Sequence, residues 1–253
     1  MTPRSILITG ASSGLGSALA EVYAAPGARL VLGGRDLGRL EAVAGRCRDA
    51  GAEVDIAAID VVDRENLARW IESADDRRPL DLVIANAGIS GGTGGGQEPP
   101  EQVRRILAVN VEGMLNTVHP AVPRMVARGR GQIALMASLA GYRGLPGAPA
   151  YCASKATVKV FGEGLRGELA GRGVGVTVIC PGYVDTPMTR RNRFPMPFLM
   201  EAPRAAALIR RGLARNKARI AFPWPMAATV WLLQALPPGA IDGLLARLPR
   251  KGS

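Results

Sequence analysis

Residues 5–23 place an apolar β-branched run, a glycine turn and the start of a helical pattern in immediate succession, and no other stretch restricts the fold as much. Ser5-Ile-Leu-Ile-Thr9 reads as a short strand, Gly10-Ala-Ser-Ser-Gly14-Leu-Gly16 as the turn, and Leu19, Val22 and Tyr23 as one face of a helix. Glycines in such a turn let the backbone approach a pyrophosphate, and the helix N-terminus offers free N–H groups and the positive end of a dipole. The same glycines could make a plain tight turn. Their place directly after the first strand makes phosphate binding the better reading, with Ser12, Ser13 and Leu15 inside the turn, although the spacing is G-x-x-x-G-x-G rather than G-x-G-x-x-G.

The alternation continues along the chain. Strands are expected at 29–33, 53–59, 80–85, 132–137, 174–180 and 218–222, and helices at 37–49, 64–74, 101–125, 151–172 and 203–215. This order predicts an α/β fold with a parallel sheet and helices on both faces, whose ligands bind outside the carboxyl ends of the strands. At the second strand tip stands Gly33-Gly34-Arg35-Asp36. An acid there would accept from a ribose 2′-OH, whereas Arg35 would pair with a 2′-phosphate, so NADP is favoured over NAD. Asp36 instead reads as a cap for the following helix. Asp60, beside Val61, has two readings, a contact to an adenine amino group or a cap on its own turn. Asn86-Ala87-Gly88 lets a backbone pass close to a ribose, as a simple turn also would.

Asn110 is a polar residue on the core-facing part of a long helix, and Pro120 and Pro123 are expected to bend or end that helix. Ser138 closes the fifth strand. Tyr151 and Lys155 are four apart, hence on one helix face, where the ammonium is expected to move the phenol from about 10 toward neutrality. Alone, such a pair is an ordinary solvated helix face. Pro181-Gly182 forms a turn at the same edge of the sheet.

Together, Thr9-Gly10-Ala-Ser-Ser-Gly14-Leu-Gly16, Asn86-Ala-Gly88, Asn110, Ser138, Tyr151-Cys-Ala-Ser-Lys155 and Pro181-Gly182 resemble the classical short-chain dehydrogenase/reductase family over residues 5–187. The resemblance implies a Rossmann-type doubly wound, mostly parallel seven-stranded sheet in a single domain over 1–253. Residues 186–217 would cover the substrate, and 220–253 would form an apolar and basic C-terminal extension. It implies that Tyr151 is the acid or base, that Ser138 orients the substrate oxygen, and that Asn110 and Lys155 hold a proton-relay water. Lys155 would also bind the nicotinamide ribose. Leu15, Asp60-Val61 and Asn86-Ala87-Gly88 would line the adenine half of the cofactor, with Val184 and Thr186 near the nicotinamide amide. The implied function is NADP(H)-dependent hydride transfer between nicotinamide and a small-molecule carbonyl or secondary alcohol, in a homodimer or homotetramer. The competing class is a catalytically silent NAD(P)-binding regulatory or membrane-associated scaffold. One departure is Ala85, where the family pattern has a second asparagine.

Composition narrows the remaining choices. Three cysteines without paired spacing and one histidine argue against a disulfide framework or a metal site, and the early first strand leaves no room for a signal peptide, which predicts a cytoplasmic protein. The net charge of +11 is concentrated: residues 190–253 carry twelve Lys and Arg against Glu201 and Asp242, so 12 − 2 = +10. Scattered arginines without a binding motif argue against nucleic acid. The stretch 187–200 joins methionines and aromatics, suited to an adaptable apolar pocket and a bulky or lipid-like substrate, to Arg190, Arg191 and Arg193, which meet an acidic substrate group or solvent. No charged residue occurs from Ile220 to Ile241, yet prolines at 223, 225, 237 and 238 are expected to leave only an eleven-residue helix at 226–236, too short to cross a bilayer of about 30 Å. Trp224, Trp231, Leu232, Leu233 and Leu236 then pack on a partner subunit, or dip into a membrane surface beside Arg247, Arg250 and Lys251.

Overall fold

A computed structural model describes residues 3–94, 96–192 and 194–245. In the sheet, β1 (Ser5–Thr9), β2 (Arg29–Gly34), β3 (Glu53–Ala58), β4 (Leu82–Ala85), β5 (Gly131–Met136), β6 (Val174–Pro181) and β7 (Arg219–Phe222) lie in the spatial order β3-β2-β1-β4-β5-β6-β7. Every pairing is parallel, so the sheet is more uniform than expected. The helices are α1 (Gly14–Tyr23), α2 (Leu37–Asp49), α3 (Arg64–Arg77), α4 (Pro100–Leu107), α5 (Gly113–Ala127), α6 (Pro149–Glu168), α7 (Ala202–Ala214), α8 (Trp224–Ala235) and α9 (Pro238–Leu245).

Strand periodicity sorts the core into two layers. Leu7, Val31, Val83, Ile133 and Val176 are in register and face α3, α5 and α6 through Leu67, Ile71, Val118, Met125 and Val158. On the other face, Ile6, Leu30, Leu82, Ala134 and Ile179 meet α1, α2 and α7 through Leu19, Leu40, Val43, Ala205 and Ile209. A sheet covered on both faces buries every position of its central strands, which is why they read as continuous apolar runs. The chain reverses its direction of winding between β1 and β4, and at such a switch point the loops part to leave a crevice.

Three helix expectations are corrected. Pro120 and Pro123 lie inside α5 without ending it, because Met114, Val118, Ala121 and Met125 anchor its inner face and this packing outweighs the two lost N–H donors. The interruption comes earlier, where Ala108–Glu112 forms a π-helical turn containing Asn110. Such wide turns concentrate at functional positions. Helix α6 stops at Glu168 rather than near 172, ahead of Gly171 at φ 81°, a conformation that leaves the helix. Pro225 does not break α8, since it occupies the first turn, where no N–H is required.

Candidate active site

All of the sequence-predicted site residues except Asn110 line one cleft at the carboxyl ends of the strands. Its floor is the glycine turn. Asn86 Nδ2 donates to Thr9 O at 3.0 Å and to Gly10 O at 3.1 Å, while the N–H groups of Asn86 and Ala87 reach Thr9 Oγ1 at 3.2 and 3.3 Å. These bonds weld the turn after β1 to the loop after β4. Packing there is tight enough to demand glycine: a Cβ at Gly16 would lie 2.1 Å from Gly10 O, and Gly10 itself adopts φ 67°. Ala85 is buried, and the locking bonds come from Asn86 instead. Ser13 caps α1 with extended backbone but no side-chain cap bond, and α1 has no acid in its first turn. The first amides of α1 are therefore available to an anion in the cleft.

One end of the cleft is walled by Gly34, Arg35, Asp36 and Arg39. Asp36 is the N-cap of α2, accepting from Arg39 N at 3.0 Å and from Arg39 Nε at 2.7 Å. The backbone N–H of Arg39, followed by its guanidinium, holds the Asp36 carboxyl below the usual carboxylate range. Arg35 is exposed and makes no ion pair with a described residue. Asp60 accepts from Val62 N at 3.1 Å, capping its turn while still bordering the cleft.

At the other end, β5 delivers Ser138, α6 delivers Tyr151 and Lys155, and β6 delivers Pro181 and Gly182. Ser138 Oγ donates to Pro181 O at 3.3 Å, accepts from Ala140 N at 3.1 Å, and hydrogen-bonds the Tyr151 hydroxyl. Lys155 is buried, donates from Nζ to Met136 O at 2.8 Å, and lies 5.9 Å from the Tyr151 ring centroid. Gly88 bridges the group, since a Cβ there would stand 3.2 Å from Asn110 Oδ1 and 3.3 Å from Lys155 Nζ. Thr186 closes over the glycine turn, its Cγ2 lying 3.1 Å from where a Cβ of Gly14 would be.

Asn110 stands behind this wall. Its Oδ1 accepts from Ile89 N at 2.8 Å, and its Nδ2 donates to Ile89 O at 2.9 Å and Ser154 Oγ at 2.9 Å. Both amide hydrogens are committed, so the side chain ties the loop after β4 to α6.

The expected shift of Tyr151 is corrected. Burial pushes its phenol up to about 12, only partly offset by the bond to Ser138, and the same burial lowers Lys155 to about 8. Desolvation disfavours the charged form of each, so the phenol is held protonated around neutrality rather than drawn toward ionisation.

Met188 and Thr189, from the segment expected to cover the substrate, border the cleft, whereas Ile89, Val109 and Arg39 were missed by sequence reading. Arg39 was detectable, three residues after Asp36 on one helix face; the others carried no local signal. Of the arginines after Thr186, Arg190 pairs with Asp185 at 2.7 Å on the exposed surface, while Arg193 lies outside the described residues.

Comparison with known proteins agrees with this geometry. Residues 4–195 match the family profile described as short chain dehydrogenase. An uncharacterized oxidoreductase of Myxococcus xanthus is 42% identical over 249 residues, 98% of each chain. A short-chain dehydrogenase from Sphingobium yanoikuyae in complex with NADPH superposes with TM-score 0.81 at 30% identity, covering 97% of this chain and 96% of the other. One from Mycobacterium paratuberculosis, bound to NAD, gives TM-score 0.80 at 25% identity over 89% and 98% of the two chains. With the glycine turn, the doubly wound parallel sheet and the converging Ser138, Tyr151 and Lys155 in place, the chain belongs to the classical short-chain dehydrogenase/reductase family of oxidoreductases.

Proposed function

We propose that the protein is an NADP(H)-dependent carbonyl reductase or alcohol dehydrogenase in which Tyr151 moves the proton. The observation that carries this reading is the meeting of Tyr151, Ser138 and Lys155 at one end of a cleft whose floor is a glycine turn leading into a helix start with no side-chain cap bond.

The residues fit a dinucleotide. The free amides of α1 and the close-packed turn at Gly10, Gly14 and Gly16 suit a pyrophosphate, and Lys155, next to Gly88, suits a ribose. Arg35 favours a 2′-phosphate. The nearby acid, Asp36, is already engaged by Arg39 and so is a poor acceptor for a free 2′-OH. The NADPH-bound relative supports this preference, and the NAD-bound one makes it the point to test.

A bound nicotinamide supplies or accepts the hydride. The protein handles the charge that develops on the substrate oxygen. Tyr151, protonated around neutrality, donates its proton in reduction and accepts one in oxidation. Ser138 exchanges its long 3.3 Å bond to Pro181 O for one to the substrate oxygen. Lys155 adds positive charge where little water screens it. Asn110 acts as a positioning residue through Ile89 and Ser154, and any relay water it holds meets its main chain in the π turn.

The substrate is a bulky apolar ketone or secondary alcohol. Tyr183 and Phe194 pack edge to face at 6.1 Å in the segment after Gly182, and Met188 borders the cleft. A panel of small and bulky ketones with NADPH, read by nicotinamide absorbance, tests the reaction class. Tyr151→Phe must abolish turnover while leaving the NADPH-induced rise in Tm, and retained turnover rejects the role of Tyr151. A larger Tm rise with NADH than with NADPH rejects the role of Arg35.

A further inference from the structure

Tyr151 is the third residue of α6, inside the turn of a helix that frays first. Such a start is ordinarily held by the residue before it, whose side-chain oxygen accepts from the second or third amide of the helix. Here that residue is Ala148, which makes no such bond, and Pro149 follows with no N–H at all. The first amide is that of Ala150, and another part of the chain meets it: Ala150 N donates to Glu98 Oε2 at 2.9 Å. Glu98 is half-buried and stands 52 residues earlier, in the loop ahead of α4. Its carboxylate occupies the positive end of the α6 dipole.

The same loop is strapped to the helix start at further points. Gln102 Nε2, on α4, donates to Gly92 O at 3.0 Å and reaches Glu98 Oε1 at 3.4 Å. Thr93 N donates to Gly147 O at 3.1 Å, one residue before Ala148. A Cβ at Gly91 would lie 2.3 Å from Gln102 Cδ, so the glycine admits the amide that holds the strap together. Beyond Tyr151, Asn110 Nδ2 donates to Ser154 Oγ, which in turn donates to Tyr151 O at 2.7 Å. The backbone is thus tied just before Tyr151, through Ala150 N–H, and just after it, through Tyr151 C=O.

We propose that Glu98 is a positioning residue for Tyr151, capping α6 from a distant segment so that the phenol stays aimed at the substrate oxygen. The proposal rests on the reading of Tyr151 as the proton carrier. Glu98 is not among the residues that line the cleft, so it acts through the backbone of α6 and not on the substrate.

The test compares the full wild-type chain with Glu98→Ala, Glu98→Gln and Glu98→Asp, using the ketone of the panel above that wild type reduces fastest with NADPH. Glu98→Ala is expected to lower kcat about tenfold, the order by which a lost cap favours a frayed turn, with KM within about twofold and the NADPH-induced rise in Tm retained. Glu98→Gln keeps an acceptor oxygen and should lose no more than about threefold. Amide hydrogen exchange, which needs no substrate, should quicken about tenfold at 150–154 in Glu98→Ala and match wild type in β4 and β5. Glu98→Asp draws the carboxylate back by one methylene, and it takes the place of Glu98→Ala, with the same expected losses, if that variant does not fold. Wild-type kcat in the folded variant overturns the proposal, as does unchanged exchange at 150–154, or a Glu98→Gln protein as deficient as Glu98→Ala. Tyr151→Phe, assayed alongside, keeps the two readings apart. If it still reduces the ketone, the role of Tyr151 falls and this proposal with it; if it is inactive while Glu98→Ala keeps wild-type kcat, only the role of Glu98 falls.

Discussion

Helices α6 and α8 both pack on the turn Leu139–Gly141, and they invert the ordinary rule of burial in opposite senses. Helix α6 buries two lysines, Lys155 at 4% exposure and Lys159 at 6%, whereas α8 displays two tryptophans. Both arrangements cost free energy in an isolated fold: a buried ammonium loses hydration, and an exposed indole keeps water ordered against it. The two lysines differ between themselves. Lys155 opens on the cleft, but Lys159 lies over the Tyr142 ring at 5.3 Å and pairs with Glu163 at 3.5 Å, behind the site. Burial of charge therefore marks function only where the charge faces a space that a ligand can enter.

The largest effect that would sharpen this contrast is on α6. Lys155→Met is expected to lower kcat/KM by about 10²–10⁴, in the range of an acid–base contribution, without lowering Tm. Retained turnover in steady-state assays would break the distinction between Lys155 and Lys159. Next comes pH. Because burial disfavours the charged form, Lys155 sits at about 8, below its ordinary value, so the cation is lost as pH rises through that point. Reductive kcat/KM should fall on the alkaline side of about 8, and a profile flat to pH 10 would contradict it. Arg35→Ala, away from both helices, should shift the NADPH to NADH preference by roughly ten- to a hundredfold, in keeping with the loss of one charge-assisted phosphate contact; competition binding of the two cofactors measures this. Lys159→Met should alter turnover only a fewfold, because its partners lie behind the cleft. The smallest effect belongs to α8: Trp224→Ser/Trp231→Ser should leave stability within about 0.5 kcal/mol and turnover of a water-soluble ketone within about twofold, by urea unfolding and initial rates.

The order of strands and helices was legible because a doubly covered sheet writes itself as apolar runs divided by turns, and the strand boundaries lie within a residue or two of those expected. The glycine turn and the Tyr151–Lys155 spacing were legible for a local reason: a left-handed backbone at Gly10 and a shared helix face at four-residue spacing are properties of neighbours in the chain. The fate of Pro120 and Pro123 was not, since the packing that holds α5 together through them comes from α3 and the sheet. Nor was the task of the Asn110 side chain, whose partners, Ile89 and Ser154, are 21 and 44 residues away.

The protonation of Tyr151 shows the same division most sharply. Sequence places an ammonium beside a phenol and so points to a lowered pKa. Only the folded chain reveals how completely that neighbourhood is dehydrated, and at Tyr151 desolvation then outweighs the opposing hydrogen bond with Ser138. By itself the sequence determined the fold class, the positions of the cleft residues along the chain and the distribution of charge, all of which follow from periodicity and local backbone preference. Which polar groups are buried, and which apolar ones are left facing out, was decided by the tertiary structure, because solvation depends on every segment that surrounds a group and not on those adjacent to it in the chain.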